Sequence, residues 1–85
     1  MVTEIIIYGS TNCSGCTAMK NDLESRSLKY RYIDVRSDPD AYAELIGRGY
    51  TSVPIVRLID KTGEKWYSVT DYSDRLKIIS NIKRG

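Results

Sequence analysis

The chain has 85 residues, of which 41% are hydrophobic and 28% are charged, and its formal net charge is +2. This length suffices for one small domain, and we expect a single domain over residues 1–85. The weak, scattered positive charge does not indicate a nucleic-acid partner, and no apolar run approaches the roughly 18 residues that cross a membrane.

The N-terminal segment MVTEIIIYGS does not read as a secretory signal, because it has neither a basic start nor a long apolar stretch. We therefore expect a cytoplasmic protein. Thiols stay reduced in that compartment, so a purely structural disulfide is not expected to persist there.

The first half of the chain is predicted to form a strand, a helix and a second strand. Residues 3–8, TEIIIY, are mostly β-branched, and their nearly continuous apolar character indicates a strand covered on both faces. Residues 28–35, LKYRYIDV, alternate between polar and apolar as a strand does. Between these strands, from residue 14 to about residue 27, the spacing of three apolar residues predicts a helix. These are Cys16, Met19 and Leu23.

A second helix is predicted to begin at Asp38-Pro39, where the aspartate caps the helix and the proline fits its first position. This helix is expected to end near Gly47 and Gly49. Its core face is predicted to consist of four apolar residues, Ala41, Tyr42, Leu45 and Ile46.

The remaining elements are predicted to be two strands and a last helix. Residues 53–60 and 65–69 form strands, and the KTGE turn between them makes the pair a hairpin. The last helix is predicted to follow a cap at Asp71, with Tyr72, Leu76, Ile79 and positions adjacent to Ile82 facing the core.

The predicted order is β-α-β-α-β-β-α, which defines an α/β fold. The first two strands should be parallel, because a helix connects them through a right-handed crossover. The last two should be antiparallel. We therefore expect one mixed four-stranded sheet with helices on both of its faces.

The two cysteines of the chain, Cys13 and Cys16, flank Ser14 and Gly15 where the first strand gives way to the first helix. Free N–H groups and the positive dipole end of a helix stabilise an anion at that place. We expect them to lower the pKa of Cys13 into the range of roughly 3.5 to 7.5, from about 8.5 for a free thiol. Cys16 lies one turn deeper and should be less exposed. This asymmetry suits dithiol exchange, in which Cys13 attacks a disulfide and Cys16 releases the product.

Other roles for the cysteine pair fit the sequence less well. Zinc requires four ligands, and the chain offers two cysteines and no histidine. A structural disulfide over so short a loop adds little stability. Two inert packed thiols would account for Cys16 but not for a cysteine at a helix start. A Cys-x-x-Cys motif beside a β-α-β pattern favours redox chemistry.

The segment YTSVPIV provides the second part of the predicted site. A proline that starts a strand in the trans form is one interpretation of Pro54. Together with the cysteines, we instead predict a cis peptide between Val53 and Pro54. That geometry would direct the backbone of Val53 at the Cys13 sulfur, where a substrate segment can pair as an added strand.

These motifs resemble the thioredoxin superfamily, and the small size resembles its glutaredoxin branch. GYTSVP, a strand that contains Trp66, and SDRLKII are similar to NrdH-type redoxins. Those proteins are glutaredoxin-like electron donors to ribonucleotide reductase that thioredoxin reductase recharges. The resemblance implies a thioredoxin fold and places ribonucleotide reductase among the candidate partners.

Two features of glutaredoxins are missing from the chain. A lysine is common three residues before the first cysteine, where Ser10 stands here. The Gly-Gly-x-Asp turn that holds the glutamyl end of glutathione is replaced by VTDYSD, residues 69–74. Thr70 and Asp71 can still offer backbone N–H groups at a helix start. Both glutathione and thioredoxin reductase therefore remain possible reductants.

The sequence thus predicts a monomeric dithiol-disulfide oxidoreductase that needs neither a metal nor an organic cofactor. Cys13 and Cys16 are its catalytic residues. We expect the substrate to contact the residues around these cysteines, the proline and the turn before the last helix, namely Asn12, Ser14, Gly15, Ser52, Val53, Pro54, Thr70 and Asp71.

Two other functions stay open. Two copies of the chain could bridge a metal ion or an iron–sulfur cluster through their cysteines, without catalysis. The protein could also be an adaptor of the same fold in which the thiols are incidental. Colour and metal content would identify the first, and a Cys13 pKa near the free-thiol value would support the second.

Overall fold

The computed structural model describes residues 2–84 of the chain, and the side chains of residues 2–82. Seven elements follow one another in the predicted order β-α-β-α-β-β-α. They are β1 (Val2–Gly9), α1 (Ser14–Ser25), β2 (Arg31–Asp34), α2 (Pro39–Gly47), β3 (Ile55–Asp60), β4 (Gly63–Ser68) and α3 (Tyr72–Arg84).

Strand β2 is shorter than predicted and begins at Arg31, because the chain is still bonded to the end of α1 at Leu28. The N–H of Leu28 bonds to the carbonyl of Leu23 at 3.0 Å, and Ser27 between them has a positive φ of 57°. The chain therefore turns back on the helix end before the strand begins. Strand β3 is also shorter than predicted and starts after Pro54, which has no N–H to donate to a sheet.

The four strands form one mixed sheet in the order β2-β1-β3-β4. Strand β1 pairs in parallel with β2 and antiparallel with β3, and β3 pairs antiparallel with β4. The hairpin turns tightly from Asp60 to Gly63, which oppose each other in the register. The Asp60 carboxylate accepts the N–H of Thr62 at 2.8 Å and so closes the turn.

Strand β1 lies at the centre of the protein and is covered on both faces, as its apolar run predicted. Ile5 and Ile7 face α1 and α3, whereas Ile6 and Tyr8 face α2. On the first face the helices contribute Met19 and Leu23 from α1 and Ile78, Ile79 and Ile82 from α3. The thioredoxin fold that the resemblance implied is thus confirmed, with helices on both sides of the sheet.

The predicted core faces of α2 and α3 were partly wrong. On α2, Ala41 and Leu45 are buried, but Tyr42 and Ile46 are 54% and 47% exposed. These two residues lie at the margin of the apolar stripe, and the sheet covers a narrower strip of the helix than the stripe offers.

On α3, Ile79 is buried as predicted, but Tyr72 and Leu76 are 59% and 42% exposed. The helix is rotated so that Ile78, Ile79 and Ile82 fill the core together. Burial of these three isoleucine side chains stabilises the observed rotation.

An ion pair joins the two helices on this face of the sheet. Arg75 Nε of α3 donates to Asp22 Oδ2 of α1 at 2.6 Å. Both side chains are largely covered, at 19% and 25% exposure. The start of α3 is therefore held against α1. None of the helices in residues 2–84 combines the length and the apolar character that a membrane crossing requires.

Replacing Leu23 by alanine should lower the free energy of unfolding by about 3 kcal/mol, because it opens a cavity in a fully buried site. The matched change Leu76→Ala, on an exposed part of α3, should cost about 0.5 kcal/mol or less. Urea unfolding of the two variants measures the difference. Equal losses would contradict the helix rotation described above.

Candidate active site

Cys13 is the N-cap residue of α1, and its sulfur takes the place of the usual capping oxygen. Its backbone is extended, at φ −135° and ψ 105°, and its Sγ accepts the N–H of Cys16 at 3.1 Å. The first turn of α1 contains no acidic residue that would oppose the positive end of the helix. Both features favour a negative charge on the Cys13 sulfur.

The two cysteines form a disulfide across one turn of α1, and their Cα atoms are 5.2 Å apart. Cys13 is partly exposed, whereas Cys16 lies in the core with 1% exposure. A partner can therefore reach one sulfur and not the other. This is the difference in access that the sequence predicted for the pair.

The Val53–Pro54 loop packs directly on the first turn of α1. The peptide bond between the two residues is cis, which confirms the prediction. The carbonyl oxygen of Val53 lies 3.9 Å from Cys13 Sγ. A Cβ on Gly15 would lie only 3.2 Å from Cδ of Pro54, so the missing side chain lets the loop approach the helix.

An open groove of about 540 Å³ runs past Cys13 between this loop and the segment before α3. It brings together seven of the eight residues that were predicted to contact substrate, and Cys13 itself. Two further lining residues, Ser10 and Val69, were missed. The full lining consists of Ser10, Asn12, Cys13, Ser14, Gly15, Ser52, Val53, Pro54, Val69 and Thr70.

Asp71 is the predicted contact that does not line the groove, because its side chain serves the cap of α3. Its Oδ1 accepts the N–H of Asp74 at 3.0 Å. Asp74 in turn reaches back to Thr70, whose N–H and hydroxyl both donate to Asp74 Oδ2, at 2.8 and 2.7 Å. These hydrogen bonds from Thr70 lower the pKa of Asp74 below its ordinary value of 3.8.

The cap of α3 reduces the number of hydrogen-bond donors that the rim of the groove can offer to a ligand. Thr70 was predicted to present its N–H, but that N–H is already bonded to a carboxylate of the same chain. The sequence contained a signal for this arrangement, since Asp71 and Asp74 have the three-residue spacing of a capping box.

A smaller cavity of about 260 Å³ adjoins the groove on the α2 side. Ser10, Ser52 and Val53 line both spaces, and the exposed Tyr42 and Ile46 line the smaller one. The sequence prediction had assigned these two α2 residues to the core and therefore missed the cavity.

Tyr50 also lines the smaller cavity and stacks against Trp66, with ring centroids 6.4 Å apart. Trp66 in turn stacks on Tyr8 at 5.4 Å, and the guanidinium of Arg48 lies 4.0 Å from its ring. Trp66 therefore links the β3–β4 hairpin to the end of α2 and supports the wall of the smaller cavity that contains Tyr50.

Within residues 2–84 there is no group of three or more histidine, cysteine or acidic residues that could hold a metal ion. The site consists instead of a cysteine pair at the start of a helix, beside a cis-proline loop, at one end of a mixed four-stranded sheet. This combination defines the thioredoxin-fold thiol-disulfide oxidoreductases.

Comparison with known proteins identifies the family to which the chain belongs. The glutaredoxin family model matches residues 5–62, and the chain belongs to the glutaredoxin family. The protein is accordingly a thiol-disulfide oxidoreductase that acts on protein disulfides with the help of a reductant. A sequence search of the curated proteins found no match.

Solved structures agree with this assignment. NrdH-redoxin from Escherichia coli, described as a glutaredoxin-like protein with a thioredoxin-like activity profile, is 26% identical with a TM-score of 0.74, over 89% of this chain and 95% of that one. Two others share the fold. A mutant of the thioredoxin-like protein BC3987 is 19% identical with a TM-score of 0.70, over 89% of this chain and 99% of the other. Thioredoxin 1 from Thermosipho africanus TCF52B is 20% identical with a TM-score of 0.60, over 98% of this chain and all 100% of the other.

The ionised Asp74 should stabilise the protein in a pH-dependent way. Because its pKa is lowered on folding, its contribution is complete above the ordinary value of 3.8 and is lost as the pH falls through the folded value. Asp74→Asn keeps an acceptor but cannot ionise. The wild-type advantage in unfolding free energy should be constant near neutral pH and shrink at acidic pH. An advantage that persists unchanged under acid conditions would refute the capping role of the carboxylate.

Proposed function

We propose that Cys13 is the nucleophile and Cys16 the resolving cysteine of this oxidoreductase. The observation that carries the proposal is the hydrogen bond from the Cys16 N–H to Cys13 Sγ at 3.1 Å. It stabilises the thiolate of the one cysteine that a partner can reach. The thiolate is the reactive form in disulfide exchange.

The exchange proceeds in two steps that move two electrons. Cys13 thiolate attacks one sulfur of the substrate disulfide, so that a mixed disulfide forms and the other substrate sulfur leaves as a thiolate that takes a proton. Cys16 then loses its proton and bonds to Cys13 Sγ, and the second substrate sulfur leaves. The product is a substrate dithiol, and the protein carries the Cys13–Cys16 disulfide.

We propose that the substrate docks as an extended segment along the Val53–Pro54 loop. The Val53 carbonyl, 3.9 Å from Cys13 Sγ, lies where it can pair with a substrate N–H next to the attacked sulfur. Ser14 and Gly15 leave the approach open because their side chains are small. Asn12 and Ser52 border the same groove and can bond to the segment.

Thioredoxin reductase, rather than glutathione, is the reductant that we propose. Glutathione would have to place its glutamyl carboxylate at the rim where Asp74 already accepts the N–H and the hydroxyl of Thr70. A second carboxylate there would meet a like charge and find no free donor on Thr70. The similarity to an NrdH-redoxin with a thioredoxin-like activity profile supports the same choice.

As the protein substrate we propose ribonucleotide reductase, on the resemblance to NrdH-type redoxins. We further propose that the protein works as a monomer in the cytoplasm, without a metal or organic cofactor. Both cysteines and the docking loop lie within one chain, so that the chemistry needs no second copy.

Replacing each cysteine by serine in turn should have different effects on the reduction of a protein disulfide. Cys13→Ser should abolish reduction of a protein disulfide, because no nucleophile remains at the groove. Cys16→Ser should form the mixed disulfide and stop there, since nothing expels the bound substrate. Non-reducing electrophoresis and mass spectrometry detect the trapped adduct. A trapped adduct with Cys13→Ser instead would reverse the assigned roles.

Reductant choice can be tested by following NADPH consumption after oxidation of the protein. Thioredoxin reductase should support turnover, and glutathione with glutathione reductase should not. Asp74→Ala frees the Thr70 N–H and removes the repelling charge, so turnover with glutathione should rise by about tenfold or more.

Asp40→Ala is the matched control, because it removes one exposed carboxylate from the first turn of another helix. It should leave both rates unchanged. Efficient turnover of the wild-type protein with glutathione would show that the Asp74 cap does not exclude that reductant.

A further inference from the structure

Cys16 lies in an interior without ionised groups. Its exposure is 1%, and among residues 2–82 no charged or polar residue is buried. The chain contains no histidine. No buried acid or base therefore stands ready to take or give the proton of the Cys16 thiol.

The hydroxyl end of Tyr32 and the Cys16 sulfur lie against the same residue, Gly9 of β1. A Cβ on Gly9 would lie 2.8 Å from Cys16 Sγ and 2.9 Å from Tyr32 Cζ, and it would also contact the Tyr32 hydroxyl. Real Cβ contacts are essentially never shorter than 3.0 Å, so a glycine is needed for this approach.

The orientation of the Tyr32 hydroxyl determines which kind of hydrogen bond it can offer. It donates its only hydrogen to the carbonyl of Ser10 at 3.0 Å. The oxygen is then left with acceptor lone pairs. A thiol at Cys16 can donate to these lone pairs, whereas a thiolate would be repelled by them.

We propose that Tyr32 is a positioning residue for Cys16, whose reduced thiol donates a hydrogen bond to the Tyr32 hydroxyl oxygen. A hydrogen bond to the neutral form disfavours the charged form. Tyr32 thus keeps Cys16 protonated while Cys13 is the thiolate, which fixes the direction of the first attack. In the second step Cys16 gives this proton to solvent before its sulfur bonds to Cys13. This consequence rests on the proposed resolving role of Cys16.

Charged and titratable groups face the Cys16–Tyr32 pair from α1 and β2. On α1, Cys13 faces Cys16, and Lys20 Nζ lies 4.5 Å from the centre of the Tyr32 ring. On β2, burial and then the charge of Asp34 raise the pKa of the Tyr32 hydroxyl.

On the neighbouring elements, no charged residue among residues 2–82 is buried beside the sulfur. On β1, Tyr8 belongs to the opposite face of the sheet. On α3, Arg75 is paired with Asp22, which lies six residues, about 9 Å, along α1 from Cys16. Cys13 is therefore the group to remove before Cys16 is titrated.

The test uses the full chain with Cys13→Ser, so that Cys16 is the only thiol. The pH midpoint of Cys16 ionisation is followed by NMR of its labelled Cβ. The rate at which iodoacetamide alkylates Cys16 is measured at neutral pH. Adding Tyr32→Phe should move the midpoint to lower pH and raise the alkylation rate about fivefold, the effect of losing one ordinary hydrogen bond.

Tyr30→Phe is the matched control. It removes a hydroxyl two residues away, which donates to the Glu24 carboxylate instead. It should leave the Cys16 midpoint unchanged. Gly9→Ala is a second variant that keeps the Tyr32 hydroxyl but forces it away from Cys16, and it should shift the midpoint in the same direction as Tyr32→Phe.

An unchanged midpoint in Tyr32→Phe would overturn the proposal, because a purely structural tyrosine does not affect the ionisation of Cys16. A shift to higher pH would also overturn it, since the hydroxyl would then be a donor to the thiolate. The titration requires no substrate and no turnover. It can therefore fail or succeed independently of the assigned catalytic roles.

Discussion

The hydrogen bond between the Cys16 N–H and the Cys13 sulfur is the contact on which the rest of the site depends. It makes one side chain serve both as the cap of a helix and as the reactive atom. The N-cap residue flanks the helix, whereas Cys16 lies on the buried face of α1 together with Met19 and Leu23. The difference in exposure between the cysteines follows from these two positions, and the groove passes the residue that remains outside.

Much of the fold could be predicted because local rules and tertiary packing agree in this chain. The apolar run of β1 requires cover on both faces, and the Asp38-Pro39 pair matches the cap and first position of a helix. Helix rotation was harder to predict. Tyr42 and Leu76 have the spacing of core residues, but which side of an apolar stripe meets the sheet depends on neighbours that the helix sequence does not contain.

The same limit applies to the site. The cysteines and the Val53–Pro54 loop could be identified because each carries a motif with its own chemistry. Val69 has no such motif, and it borders the groove because its N–H bonds to the carbonyl of Pro54 at 3.1 Å. Asp74 shows the opposite case. Its spacing was visible in the sequence, but its reach to Thr70 follows from the path of the chain into α3.

The ion pair between Asp22 and Arg75 bears on how partners are selected. Helix α1 begins at one wall of the groove and α3 begins at the other, and this covered pair ties the two helices together. This pair restrains the spacing of the two walls before any partner arrives. A substrate that docks as the proposed extended segment then has to adjust to the groove, so its disulfide should lie in a stretch of chain that can straighten. Disulfides in flexible tails and loops meet this requirement, whereas those locked inside folded cores do not.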